Sequence, residues 1–494
     1  MLHIFKNRIA GGFNSRQRGL WSRQRGFGVL LLLLCSLPAQ AAMPAAGLRQ
    51  VLQQPGLAPA YTGVRIISAD SGEAILEQNA ETPLMPASNM KVITSSAALS
   101  LLKPEFRFKT QLLTDGRING ETLQGNLYLK GYGDPVLSDE RLQKLVEELR
   151  FLGIRKVSGN LVADDSFFDQ ERTGRGWKSS YGAAAYSAQI SALALNLNTV
   201  EVRVRPTQVG QAASISLKPE NTFFEIINKT GTSGGRTRLS ISRQLVNGHN
   251  QIIVSGNLYV RGATEIEKMN LDNPTLYVGN VAQNLMRKEG IGLTGKIVKG
   301  TTPAGAAILA SSESPPLREV VSELNKNSVN LIAENLLKFL GATFAGAPGT
   351  AAKGAKVVMD RFLVGQVGLP HNSGLVIADG SGLSPLNRMT AETLTRVLQH
   401  MFQQYDVSVD FIASLPIAGV DGTLKKRMIG PEIKRRVRAK TGFINGASSL
   451  SGYLYTKHNK VLIFSFLMNH YSNFYAAVST QDRICRELVN WEGR

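Results

Sequence analysis

Ser88 and Lys91 stand three residues apart in Pro86–Lys91, which opens a stretch, Val92 to Leu99, that reads as a helix. Ala, Met, Lys and Leu favour that state, and apolar residues recur there at three- and four-residue spacing. Positions i and i+3 share a helix face, so the hydroxyl and the amine would stand one turn apart. A serine hydroxyl is a poor nucleophile until a neighbouring base takes its proton. Lysine can be that base when burial and nearby cations lower its pKa. The start of a helix also offers free backbone N–H groups to a developing oxyanion. The pattern therefore suits nucleophilic attack, but S-x-x-K alone is weak: Ser100-Leu101-Leu102-Lys103 repeats it twelve residues on. A surface serine beside a solvated lysine is the default reading of either copy.

The surrounding elements must decide. Gly63–Ser68 and Ala74–Glu77 flank Ala69-Asp70-Ser71-Gly72, a hairpin signal directly before the proposed nucleophile helix. From Phe106 to Gly300 short alternating runs are broken by Gly, Asn and Asp, as in Asn126–Leu129, Thr199–Val204 and Gln251–Val254. Only Asp139–Phe151 and Val281–Glu289 read as helices there, so this is a β-rich insertion, divisible into two subdomains. After Leu317 α/β texture returns: a helix over Leu331–Leu337, a Gly-rich turn Asp379–Ser384, a helix Thr390–Phe402, strands at Arg436–Gly442, Ser449–Tyr455 and Val461–Leu467, and a closing helix. The chain therefore divides into 42–105, a β-rich 106–299 and 300–494.

The first 26 residues carry six basic side chains and no acid. Phe27–Leu37 is apolar and Ala39-Gln40-Ala41 follows, which together predict a secretory signal peptide over residues 1–41. The apolar run is too short to span a bilayer comfortably, so the expected product is exported to the periplasm. Cleavage would remove Cys35 and leave Cys485 alone among Ile484, Leu488 and Val489, a buried thiol with no disulfide partner. The formal charge of +19 falls to about +13 without the signal, a balance that favours polyanions. An exported chain with no nucleic-acid motif points away from nucleic acid and towards anionic wall polymers or a membrane surface. Six scattered His show no ligand spacing, so no metal or other cofactor is expected.

Three motifs in order, Ser88-x-x-Lys91, Ser328-x-Asn330 and Lys440-Thr441-Gly442, are those of serine penicillin-recognising enzymes. With Asp-Gly-Ser-Gly-Leu-Ser at 379–384 and Ser-Leu-Pro-Ile-Ala-Gly-Val-Asp-Gly-Thr-Leu at 414–424, the chain resembles the D-alanyl-D-alanine carboxypeptidase/endopeptidase family of the penicillin-binding protein 4 type, peptidase family S13. The resemblance covers essentially the whole chain after the signal. It implies an α/β fold with a five-stranded antiparallel sheet flanked by helices, and peptidoglycan stem peptides and β-lactams as partners. It further implies that 42–105 and 300–494 form one DD-peptidase domain, with 106–299 inserted in it. It also implies roles: Ser88 as nucleophile, Lys91 as base kept neutral by burial and a cationic Lys440, and Ser328 as proton relay. Asn330 would hold the peptide backbone and Lys440 and Thr441 the terminal carboxylate. Gly442 belongs to the same strand, and the backbone N–H groups of Ser88 and Phe443 would form the oxyanion hole. Asp164 and Phe168 match the family's side-chain pocket segment.

Motif order marks Lys229-Thr230-Gly231, Ser158-Gly159-Asn160 and Ser255-Gly256-Asn257 as structural copies inside the insertion. Phe443, Val329, Pro385 and Tyr132 depart from the family text, Phe443 making the pocket beside it less polar. Two further readings stay open on sequence: a non-catalytic wall-binding relative, and a β-lactamase. The balance between carboxypeptidase and endopeptidase action, the diamino acid, the oligomeric state and the role of the insertion are likewise open.

Overall fold

A computed structural model describes residues 45–371 and 373–492; the expected signal peptide lies outside them. The hairpin strands β1 (Thr62–Ser68) and β2 (Ala74–Gln78) pair through β1 with the last strands of the chain. These are β3 (Val437–Ile444), β4 (Ala447–Tyr455) and β5 (Val461–Asn469). The sheet runs β3-β4-β5-β1-β2, every neighbour antiparallel, so the two chain ends build one layer and leave β3 as an edge. β5 shows why its sequence is nearly all apolar. Leu462, Phe464, Phe466 and Met468 pack on one side with Ala477, Ile484 and Cys485 of the closing helix α4 (Phe474–Val489). Ile463 and Leu467 pack on the other. A strand covered on both faces reads as a continuous apolar run.

The second face carries α1 (Met90–Leu102), buried at every position from Met90 to Ser100, with the buried hydroxyls of Thr94 and Ser95 donating to Gly380 O and Lys91 O. Beside it lie α2 (Leu317–Asn327) and α3 (Asn330–Ala345), separated by Ser328 in a left-handed conformation at φ +57°. No described helix is long and apolar enough to cross a membrane. Cys485 is free and buried, and burial pushes its thiol pKa up.

Between α1 and α2, strands from Lys109 to Glu313 form one five-stranded sheet, one four-stranded sheet and two three-stranded sheets. A separate apolar core that includes Leu129, Leu145, Leu161, Val202 and Tyr277 supports them. One helix there spans Asp139–Phe151, as expected from sequence. The other begins at Pro274 rather than Val281. Asn273 caps it and Pro274 occupies its first turn, where the missing N–H costs nothing.

Candidate active site

Ser88 lies in a short 3-10 turn, Ala87–Asn89, that runs into α1. Ala87 is held at φ +47°, a region costly for a residue with a Cβ. β4 fixes the turn: Ser449 Oγ donates to Pro86 O at 2.6 Å and Asn89 Nδ2 donates to Ser451 Oγ at 2.8 Å. Gly442 of β3 lies against the same turn. A Cβ there would collide with Ser449 Oγ and come within 3.0 Å of Ser88 N, so glycine is what lets the strand edge approach Ser88.

Lys91 is fully buried, and its Nζ lies 3.0 Å from Ser88 Oγ, 2.6 Å from Asn330 Oδ1 and 2.7 Å from Ser381 O. Burial lowers its pKa to about 7, against the opposing charges of Asp379 and Glu334. A neutral amine can give its two N–H groups to the two carbonyl oxygens and turn its lone pair to the Ser88 hydroxyl. Lys440 is also fully buried; its Nζ donates to Ser328 Oγ at 2.9 Å and to Thr441 O at 2.8 Å. The expectation that a cationic Lys440 depresses Lys91 is reversed here. Burial and the Lys91 charge hold Lys440 well below the usual lysine range, because no acid stands by it while two stand by Lys91.

The three motifs therefore meet. Asn330 uses its carbonyl on Lys91 and its N–H on Tyr186 O at 2.8 Å, which makes it a clamp between Lys91 and the insertion. Thr441 Oγ1 lies 2.7 Å from Thr423 Oγ1. Ala439 N–H bonds Pro416 O on the open side of β3, so ladder alternation turns the N–H groups of Thr441 and Phe443 to that same edge. The Phe443 ring is 59% exposed and rests on Phe474, 4.7 Å between centroids.

Asp164 and Phe168 are not brought to this cluster. The Asp164 carboxylate is fully buried in the insertion, accepting from Thr302 N and Oγ1 and from Ser166 N, with Lys130 at 3.6 Å. Phe168 fills core beside Phe167, and its ring blocks any Cβ at Gly133. Acid-next-to-aromatic text there is the wall of a packed sheet, so these two are corrected to structural residues. The second S-x-x-K copy is also structural. Ser100 is buried against Met401 Sδ at 3.5 Å, while Lys103 pairs with Asp406 at 2.7 Å.

The sequence reading passed over Glu334 and gave no role to Asp379, the acids beneath Lys91. Glu334, one turn along α3 from Asn330, accepts Gly380 N at 3.1 Å and Ser381 N at 2.9 Å, and burial with the Asp379 charge pushes its carboxyl up. Asp379 accepts from Gly382 N, Ser384 N and Asn387 Nδ2, each at 2.7 Å, and from Trp177 Nε1 at 2.9 Å. The four-residue spacing from Asn330 could have flagged Glu334. Nothing local could link Trp177 to a turn 202 residues away. Among the described residues no group of three or more His, Cys, Asp or Glu is placed to hold a metal ion.

Residues 45–490 match the model of the D-Ala-D-Ala carboxypeptidase 3 (S13) family. The chain is 35% identical over 459 residues to a D-alanyl-D-alanine carboxypeptidase of Actinomadura sp. (strain R39), covering 90% of this chain and 84% of that protein. It is 27% identical over 449 residues to D-alanyl-D-alanine carboxypeptidase DacB of Haemophilus influenzae, covering 90% and 91%. The crystal structure of penicillin binding protein 4 (dacB) from Haemophilus influenzae aligns with a TM-score of 0.78 at 26% identity, over 91% of this chain and 100% of that one. With the family model covering nearly every described residue, the chain belongs to the S13 family of D-Ala-D-Ala carboxypeptidases.

Proposed function

We propose that this chain is an exported serine DD-peptidase that hydrolyses the D-Ala-D-Ala bond of peptidoglycan stem peptides, and D-alanyl cross-links, through an acyl-enzyme on Ser88. The observation that carries this is the 3.0 Å contact between Ser88 Oγ and a fully buried Lys91 whose pKa lies at about 7. Such an amine is deprotonated at neutral pH often enough to act as a general base. In this reading residues 42–105 and 300–494 carry the peptidase, 106–299 form an accessory region, and residues 1–41 direct export.

Ser88 Oγ attacks the carbonyl carbon as Lys91 takes its proton. The oxyanion is met by the N–H groups of Ser88 and Phe443, one at a helix start and one on the open edge of β3. The C–N bond then breaks as Ser328, hydrogen-bonded to Lys440, relays to the departing amine the proton that Lys91 took, which leaves Lys91 neutral and Ser328 with its own proton. Lys440, Thr441 and Thr423 face the terminal carboxylate. The arriving anion supplies the counter-charge that Lys440 lacks and draws a proton onto it. Water attacks the ester with Lys91 as base, and Ser88 leaves with its proton restored. A β-lactam follows the same first step, but its broken ring keeps the amine tethered and the adduct persists.

Intact mass after incubation with benzylpenicillin, followed by peptide mapping, tests this. An adduct on Ser88, lost in Ser88→Ala and kept in Ser100→Ala, is the expected result. No adduct on a folded protein would leave a wall-binding relative, and rapid drug hydrolysis without accumulation would leave a β-lactamase.

A further inference from the structure

Release of one alanine needs little room beyond the reacting bond, yet a cavity of about 560 Å³ adjoins the S-x-N loop. It lies within the roughly 300–1,000 Å³ range of ligand sites. Ser328 and Asn330 form one wall; Tyr186, Leu197, Lys218 and Lys268 of the insertion form another. Its charges are mixed. Lys218 and Lys268 flank Glu201 in register across three adjacent strands. Glu201 nevertheless gives its carboxylate to Arg203 at 2.6 Å, and among the described residues neither lysine has a carboxylate within 4.0 Å. Two neighbouring ammonium groups, neither held in an ion pair, are a place for an anion even with acids nearby. The acids Asp139, Glu140 and Glu323 border the same space, so it suits a ligand carrying both signs.

The backbone points the same way. Asn196, Leu197 and Asn198 are consecutive left-handed residues at φ +48°, +60° and +51°, and Ser328 sits at +57°. Asn196, Leu197 and Ser328 all line the cavity. Strain of this kind persists where the surrounding structure enforces it, and it gathers at ligand sites.

We propose that this cavity binds the second peptide of a cross-linked substrate, the strand whose amine departs when Ser88 is acylated, with its carboxylates on Lys218 and Lys268. This rests on the DD-peptidase reading. The departing amine receives its proton at Ser328, and Ser328 is shared by the catalytic cluster and the cavity wall. A single D-alanine would leave most of the space empty, whereas a peptide bearing free carboxylates and an amine fills it and matches its charges. The insertion then supplies the difference between trimming a free stem and cutting a cross-link.

The test is the charge reversal Lys218→Glu with Lys268→Glu, both exposed positions whose replacement leaves the core intact. Three readouts are compared: cleavage of a purified cross-linked muropeptide dimer, trimming of a monomeric pentapeptide, and acylation by benzylpenicillin. Dimer kcat/KM should fall by about tenfold or more through like-charge repulsion. Trimming and acylation should stay within about twofold, as for surface changes away from the chemistry. In a Ser88→Ala background, dimer affinity should fall by the same factor, a readout that needs no turnover. Equal loss on dimer and monomer, or no loss on either, overturns the proposal, as does a parent enzyme that trims pentapeptide but neither binds nor cuts dimer. A parent that neither trims nor acylates fails earlier, at the peptidase reading itself.

Discussion

At Lys91 two effects compete, and their balance sets how the enzyme responds to pH. Full burial disfavours the ammonium, while Asp379 and Glu334 favour it, and the outcome is a pKa of about 7. Only the neutral amine can accept the Ser88 proton. Acylation by benzylpenicillin should therefore rise as pH passes upward through about 7 and level off above it. Asp379→Asn removes the largest of the charges that hold the proton on Lys91, so the inflection should move to lower pH. Stopped-flow acylation rates across pH check both, and a flat profile from about pH 5 to about pH 9 would remove Lys91 from the role of base. The same shift has a thermodynamic side. Lys91 is lowered from 10.5 to about 7 on folding, so between these values the unfolded chain binds more protons and stability rises with pH. Below the folded value both states are protonated and the buried ammonium exerts its full cost. The gain in Tm from Lys91→Met should thus be larger at about pH 6 than at about pH 9 in paired thermal melts.

Among the elements, the meeting of β3 with the Ala87–Asn89 turn governs the site. Gly442→Ala would place a methyl against Ser449 Oγ, 2.9 Å from Pro86 O and 3.0 Å from Ser88 N. Backbone has to yield, at a cost of about 1–3 kcal/mol, and it yields where the proposed mechanism receives the oxyanion. Acylation should therefore be nearly lost in a protein that still melts cooperatively; full activity would show that β3 can shift without consequence. Trp177 acts on the opposite wall. Trp177→Phe keeps the aromatic bulk but removes the N–H that Asp379 Oδ2 accepts, a bond to a charged group worth about 1.5–3 kcal/mol. Differential scanning calorimetry should show a lower Tm, with Trp177→Leu no milder. These contacts also mark what sequence could carry. The hairpin β1–β2, the three closing strands and the nucleophile helix announce themselves through local period, because each follows one face of one core. Ser88, Lys91, Ser328, Asn330 and Lys440 were singled out through motif order rather than period. Glu334 and Asp379 were given no role, since a buried carboxylate bonded to backbone N–H groups looks like any turn or helix acid until the fold is seen. Asp164 and Phe168 failed for the converse reason: a local match to a pocket segment says nothing of which way a strand end faces.

The whole molecule carries a further term that no single contact holds. Its formal charge is +19, of which residues 42–494 carry about +13, and among the described residues Lys218 and Lys268 of the insertion stand in no ion pair. Spread positive charge attracts a polyanion from a distance and concentrates enzyme near it without specifying a site. At about 0.15 M salt the Debye length is about 8 Å, so this attraction is largely screened between exposed charges, while buried contacts such as Lys91 with Ser88 are barely touched. The two kinds of electrostatics should separate under salt. Retention of the mature chain on isolated wall material rich in anionic polymer should fall smoothly between about 0.05 M and about 0.5 M NaCl, whereas pentapeptide trimming in solution stays within about twofold. Co-sedimentation and a D-alanine release assay, run on the same samples, measure the pair. Retention that ignores salt would assign wall binding to a shaped, specific surface instead of net charge. A parallel loss of trimming would mean that exposed cations, and not the buried cluster alone, hold the substrate's carboxylate.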